Sequence, residues 1–253
     1  MTQDKRRVWL IRALLEEQGY RNAIPRNVFE QKRLLRGLFN VRPPTPASEE
    51  FLAVQDAYLR EAAREKGVTR LSDLTPVQDG LYLWRGDITT LAVDAIVNAA
   101  NSALLGCFSP NHGCIDNAIH TYAGVELRLC CNEIMQKQGH PEPVGSAKLT
   151  PGFNLPAKYV LHTVGPIVSG RLTEQHCHEL ASCYESCLAL AEENGIGSVA
   201  FCCISTGVFG FPQDAAARIA VETVKAYRKR CPIDVVFNVF KEADLRLYQA
   251  LLR

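Results

Sequence analysis

Long apolar runs are missing from this 253-residue chain, and none approaches the roughly 18 residues that a membrane-spanning helix requires. An excess of either charge is missing too. Lys and Arg number 28 against 27 Asp and Glu, a net of +1, which excludes an overall basic field for nucleic acid and an acidic, solvating tail. The early apolar stretch Val8-Trp9-Leu10-Ile11 is interrupted by Arg12 and Glu16-Glu17 before an export signal can form. The ten cysteines are therefore expected to be reduced thiols or metal ligands, in a soluble cytoplasmic protein. The signatures G-x-x-x-x-G-K-[ST] and G-x-G-x-x-G do not occur, so neither a P-loop nor a Rossmann fingerprint is available. Nor does H-x-E followed by P-C-x-x-C, which removes the zinc nucleobase deaminases.

What remains is an ordinary globular composition, 47% hydrophobic and 22% charged, enough for a core without a disulfide scaffold. Its distribution is uneven. All ten cysteines lie between Cys107 and Cys231, and residues 1–75 carry 14 basic and 10 acidic side chains, leaving a net of −3 for the rest. Apolar positions Val8, Ile11, Leu14 and Leu15, then Val28, Leu34, Leu35 and Leu38, then Phe51, Leu52, Val54 and Leu59 have helical spacing. Pro43-Pro44-Thr45-Pro46 separates the second stretch from the third, because consecutive prolines cannot continue a helix. Residues 1–75 thus read as an N-terminal helical extension, its positive charge as a solvated helix face. Residues 76–253 change pattern. Short apolar runs at 81–84, 95–99, 148–150, 159–163, 199–204 and 235–240 read as strands, and 115–137, 174–194, 213–230 and 242–252 as helices. The sum is a layered α/β domain, in which ligands bind beyond the carboxyl ends of strands.

Three loops after strand ends can carry chemistry. In Arg85-Gly86-Asp87-Ile88-Thr89 the Asp87 carboxylate can accept from an amine or cap a short helix, and the two roles can coexist. In Val97-Asn98-Ala99-Ala100-Asn101 the amides can serve a hydroxyl-rich ligand such as a ribose, or simply a turn. In Ser205-Thr206-Gly207-Val208-Phe209-Gly210 small residues leave backbone N–H groups free for a pyrophosphate, or make an ordinary strand-to-helix turn. The segment Cys107 to Asp116 is the most informative. Cys107, His112 and Cys114, spaced Cys-x4-His-x-Cys with Pro110 and Gly113 between them, can fold two thiolates and an imidazole around one Zn²⁺ with the fourth position open. His120, Cys130 and Cys131 are candidates for a fourth ligand, with core packing as their alternative role. The other cysteines read as core, and His162, His176 and His178 as ordinary hydrogen-bonded histidines.

Gly86-Asp87-Ile88-Thr89, Val97 to Asn101, Asp116-Asn117-Ala118-Ile119-His120 and Ser205 to Gly210 occur in the order of the four signatures of the macrodomain family, which residues 76–253 resemble. The run of glycines usual before the Asp is replaced by Cys107 to Cys114, which resembles the zinc-containing macrodomains, a protein-ADP-ribose hydrolase subgroup with an N-terminal helical extension. The resemblance implies a three-layer α/β/α fold with a mixed central sheet. It implies that Asp87 holds the adenine amine with help from the Ile88 N–H, and that Asn101 faces the distal ribose. Cys114, Ile115 and Asp116 would line the distal ribose and diphosphate, Ser205, Thr206, Gly207, Val208 and Phe209 would cradle the phosphates, and Phe240 would pack by adenine. Asp116 would be the general base, and zinc would orient a ribose hydroxyl or supply a hydroxide. The expected activity is zinc-dependent removal of mono-ADP-ribose from protein side chains, Asp favoured, releasing ADP-ribose. A non-catalytic reader of ADP-ribosylated protein and a deacetylase of acetylated ADP-ribose are the alternatives. The resemblance suggests a lipoyl carrier protein modified by a sirtuin-like transferase as the acceptor; no membrane or nucleic-acid partner is expected, and a monomer is.

Overall fold

The computed structural model describes residues 1–20 and 23–253. Helices α1 (Gln3–Glu17), α2 (Val28–Val41) and α3 (Glu49–Lys66) come first, started by the side chains of Thr2, Asn27 and Ser48, each of which accepts a first-turn N–H. Strand β1 (Thr69–Arg70), a 3-10 turn, and strands β2 (Pro76–Gln78), β3 (Leu81–Arg85), β4 (Leu91–Ala92) and β5 (Ala95–Ala100) follow. Then come α4 (Ile115–Ala123), α5 (Val125–Gln138), β6 (Ala147–Pro151), β7 (Tyr159–Val164), α6 (Glu174–Glu193), β8 (Ser198–Phe201), α7 (Gln213–Arg228), β9 (Asp234–Val239) and α8 (Glu242–Leu251).

Seven strands form a mixed sheet in the order β2-β3-β9-β8-β5-β7-β6. The five inner strands are parallel, and β2 and β6 close the edges antiparallel. The inner strands β5, β7, β8 and β9 are almost wholly buried, as parallel strands covered on both faces must be. Helices α6, α7 and α8 make one covering layer; α4 and α5, backed by the extension, make the other. This is the three-layer α/β/α arrangement.

Two boundaries depart from the sequence reading. The helix expected over 115–137 is broken at Gly124, whose φ of 101° belongs to glycine. A Cβ there would meet the Gln55 side chain at 2.7 Å, and Gln55 Oε1 accepts the Val125 N–H that opens α5. The strand expected over 199–204 stops at Phe201, and residues 202–205 leave the sheet.

The extension packs its own apolar cluster, from Leu10 to Leu59, against Val125. Its contact with the rest is also polar. Arg128, 4% exposed, donates to the carbonyls of Leu105, Phe39 and Arg42, Asn40 donates to Thr121 Oγ1 at 2.9 Å, and Asn154 donates to Asp56 at 2.8 Å. Buried polar groups persist only when paired in this way. Reading the extension's positive charge as a solvated face holds for Lys5, Arg12, Lys32, Arg33, Arg60 and Arg64, which are exposed, and fails for a few: Arg7 and Arg42 are buried, and Arg36 and Lys66 reach the site described next.

Candidate functional site

The carboxyl ends of β3, β5, β7, β8 and β9 open into a cleft of about 550 Å³, where an α/β sheet is expected to bind its ligand. At one end Asp87 is half-exposed. Its Oδ1 accepts from the Thr89 N–H and hydroxyl at 3.0 and 2.6 Å, and its Oδ2 meets Lys66 Nζ at 3.0 Å. Burial pushes the Asp87 carboxyl up, but the Thr89 hydrogen bond and the Lys66 ammonium outweigh it and hold it below its usual value. Asp87 is thus a helix cap that still presents charge to the cleft. Lys66 Nζ also lies 3.4 Å from the centre of the Tyr122 ring. Ile88 lines the same end, and Phe240, 77% exposed, forms the rim.

Ser205, Thr206, Gly207, Val208 and Phe209 line the cleft from β8. Ser205 takes a positive φ of 63°, a strained conformation for a residue with a Cβ, and its buried Oγ has no partner among the described residues. Gly165, after β7, is required because a Cβ would stand 2.1 Å from that Oγ. Facing this loop, Cys114 and Ile115 begin α4 and line the opposite wall. The positive end of a helix is a favourable place for a phosphate.

The Cys107–Cys114 loop joins this wall. The ligand atoms of Cys107, His112 and Cys114 lie within 4.8 Å of one another, with Cys107 Sγ 3.6 Å from His112 Nδ1. For zinc bonds of about 2.3 Å to sulfur and about 2.05 Å to nitrogen, two ligands of a tetrahedron stand about 3.6 Å apart. The donor set fits Zn²⁺, and no fourth protein ligand joins it among the described residues. Burial pushes the Cys114 thiol up to about 11, although its Sγ caps α4 by accepting the Asn117 N–H at 3.4 Å.

Two expected site residues stand elsewhere. The Asp116 side chain is buried, outside the cleft lining, and accepts from Asn98 Nδ2 at 2.8 Å and Asn101 Nδ2 at 3.3 Å. Burial raises it to about 6, against the opposing pull of those amides and Arg128. A general base must reach the proton it removes; in this structure the Asp116 carboxylate reaches the strand-end amides. Asn101 is likewise turned inward, donating to the Gly106 carbonyl and accepting the Ala103 N–H. The fourth-ligand candidates His120 and Cys131 sit in the core with His162, which therefore has companions that the spacing did not suggest. Cys202 belongs to the core and Cys203 packs against it, as read, and both also line the cleft. Arg36, Lys66 and Tyr122 escaped the sequence reading, since each looks like an ordinary helix residue and only tertiary packing brings it to the cleft. Gly165 had a signal, a glycine immediately beyond a strand's carboxyl end.

The family model described as Macro domain matches residues 97–220. A protein of Treponema medium named protein-ADP-ribose hydrolase is 58% identical, and the match covers both chains completely. One of the same name from Staphylococcus aureus (strain MSSA476) is 58% identical over 85% of this chain and 82% of its own. Among solved structures, the Trypanosoma brucei macrodomain in complex with ADP-ribose has a TM-score of 0.67 at 33% identity, covering 83% of this chain and 92% of that one.

Proposed function

The chain belongs to the macrodomain family, and we propose that it is a zinc-dependent protein-ADP-ribose hydrolase that releases mono-ADP-ribose from protein side chains. One observation carries this reading: Cys114 is both a wall of the cleft and a member of the Cys107, His112, Cys114 donor set. A metal held there would adjoin the bound sugar. The relatives named protein-ADP-ribose hydrolase and the ADP-ribose complex of the Trypanosoma brucei macrodomain support the activity and the ligand.

In this proposal Asp87 accepts the adenine amine and the Ile88 N–H assists it. The ligand's diphosphate lies between the Ser205–Phe209 backbone and the N-terminus of α4 at Cys114 and Ile115, with the distal ribose toward Cys107 and His112. Bound zinc would supply positive charge and an open coordination position at that end. Asp116 fixes Asn98 and Asn101, and through Asn101 the Gly106 carbonyl, so it acts on the reaction by positioning. A carboxylate acceptor suits this site because an acyl oxygen leaves with little need of a proton, whereas a guanidine needs one. Aspartate is the acceptor we propose. A lipoyl carrier protein, modified by a sirtuin-like transferase, is proposed from the resemblance alone as the protein that bears it.

The test is zinc analysis followed by release of free ADP-ribose from matched Asp-, Ser- and Arg-modified proteins, with and without chelator. Chelator-sensitive release that favours the Asp substrate is expected. Equal release after complete zinc removal, or preference for Arg, contradicts the mechanism; binding without release identifies a reader, and release only of acetate from acetylated ADP-ribose a deacetylase.

A further inference from the structure

The Cys107–Cys114 loop has no secondary structure of its own, and it contains Asn111 with φ 58°, a left-handed conformation that asparagine reaches more readily than other non-glycine residues and that the surroundings here hold in place. Those surroundings are supplied largely by one face of α2. Arg36 donates through Nη2 to the His112 carbonyl at 3.0 Å, and through Nε and Nη2 to Asn117 Oδ1 at 3.1 and 2.8 Å. Asn117 in turn donates to the carbonyls of Cys107 and Ser109 at 3.3 and 3.0 Å. One guanidinium and one amide therefore tie together the backbone of three loop residues, two of them in the donor set. Four positions along α2, Asn40 Oδ1 accepts the Asn111 N–H at 2.9 Å, which secures the left-handed residue itself. Between these two lies Gly37. A glycine inside a helix costs roughly 0.5–1 kcal/mol relative to alanine, and here it lets the loop touch the helix backbone: a Cβ would stand 3.3 Å from Asn111 Nδ2 and 3.6 Å from Pro110 Cβ.

We propose that the N-terminal extension is a preorganising clamp for the metal loop, acting through Arg36, Gly37 and Asn40 of α2. The proposal rests on the reading of Cys107, His112 and Cys114 as a zinc site and adds the part of the molecule that presets it. None of the three clamp residues is a ligand. Their work is to hold the His112 and Cys107 backbones before the metal arrives, so that binding does not have to order the loop. Arg36 is the central positioning residue, because its planar fork makes contacts in two directions that a lysine ammonium cannot reproduce. Gly37 decides how closely the loop can approach.

Full-length Arg36→Gln, Arg36→Lys and Gly37→Leu are compared with the wild type in two measurements. The first is backbone hydrogen exchange of metal-free protein; the second is zinc affinity by competition with a chromophoric chelator. Faster exchange confined to residues 109–117, with protection of the central strands unchanged, and zinc affinity about 10–100-fold weaker are expected for Arg36→Gln and Gly37→Leu, with Arg36→Lys in between. Wild-type zinc binding together with unchanged exchange and affinity within twofold in both stronger variants overturns the clamp. If the wild type binds no zinc but the variants still loosen residues 109–117, the zinc reading falls and the clamp stands. Should Arg36→Gln not fold, Arg36→Lys and Gly37→Leu carry the same two measurements, and normal values in both overturn the proposal.

Discussion

Two clusters of cysteine and histidine in this chain offer similar donors at similar spacing, Cys107, His112 and Cys114 in a loop and His120, Cys131 and His162 in the core, each within 4.8 Å. Their surroundings assign them opposite work. In the core, His162 Nδ1 faces Asn98 Nδ2 at 3.1 Å, and its Nε2 faces Thr150 Oγ1 at 2.9 Å and Cys131 Sγ at 3.8 Å. Its nitrogens are already engaged. Burial pushes His162 down to about 3 and Cys131 upward, and burial with the neighbouring His162 and Arg128 keeps His120 neutral. In the loop, Cys107 and His112 face mainly each other, and the third member opens onto a cleft. Proximity of donors is therefore insufficient for a site. Both ring nitrogens of His120 lack a hydrogen bond among the described residues, so what separates the two clusters is whether a ligand can reach the donor atoms.

Breaking the loop cluster should have the largest effect. His112→Ala is expected to empty the proposed zinc site and lower ADP-ribose release by more than about a hundred-fold, because the ion proposed there would contribute several kcal/mol to the transition state. ADP-ribose affinity and melting temperature should move little, and metal analysis, calorimetry and turnover on one preparation check all three. Breaking the core cluster should do the reverse. His162→Ala removes two hydrogen bonds and leaves a cavity, costing about 3 kcal/mol of stability, while zinc per chain stays the same; denaturant unfolding and metal analysis test this pair.

Acid sharpens the contrast further. The folded-state pKa of His162 lies below its unfolded value, so its contribution is complete above about pH 6.5 and is lost as pH falls toward 3. Between pH 7 and 4.5 this amounts to about 2 kcal/mol, and a His162→Gln variant should show a correspondingly flatter stability profile over that window. A change of similar size, in ligand affinity rather than in stability, is expected at the far end of the cleft. Asp87→Ala should weaken ADP-ribose binding by about 1.5–3 kcal/mol if the carboxylate holds an amine, without altering zinc content. An unchanged dissociation constant would assign Asp87 to capping Thr89 alone.

Much of this was legible in the chain itself. The parallel strands announced themselves as short apolar runs, and the loops after them carried the candidates Asp87, the Cys107, His112 and Cys114 donor set and Ser205–Phe209 because chemistry at strand ends depends on local residue types. The Gly124 break was hidden, since a glycine inside a helical pattern is ambiguous until Gln55 is seen against it. The inward turn of the Asp116 and Asn101 side chains was not legible, because sequence order says which loop a side chain leaves and not which neighbour captures it.

Periodicity, loop composition and ligand spacing are local properties, and from them alone come the layered α/β class, the helical extension and the Cys-x4-His-x-Cys donor set. Long-range packing decided the rest. That Arg36 and Lys66 of the extension reach the metal loop and Asp87, that Asp116 turns inward, and that His162 meets His120 and Cys131 all join residues distant in the chain. Such contacts depend on how the extension seats on α4 and α5 and how β5 and β7 register, and hydrogen bonding among buried groups settles their partners only once the whole core has closed.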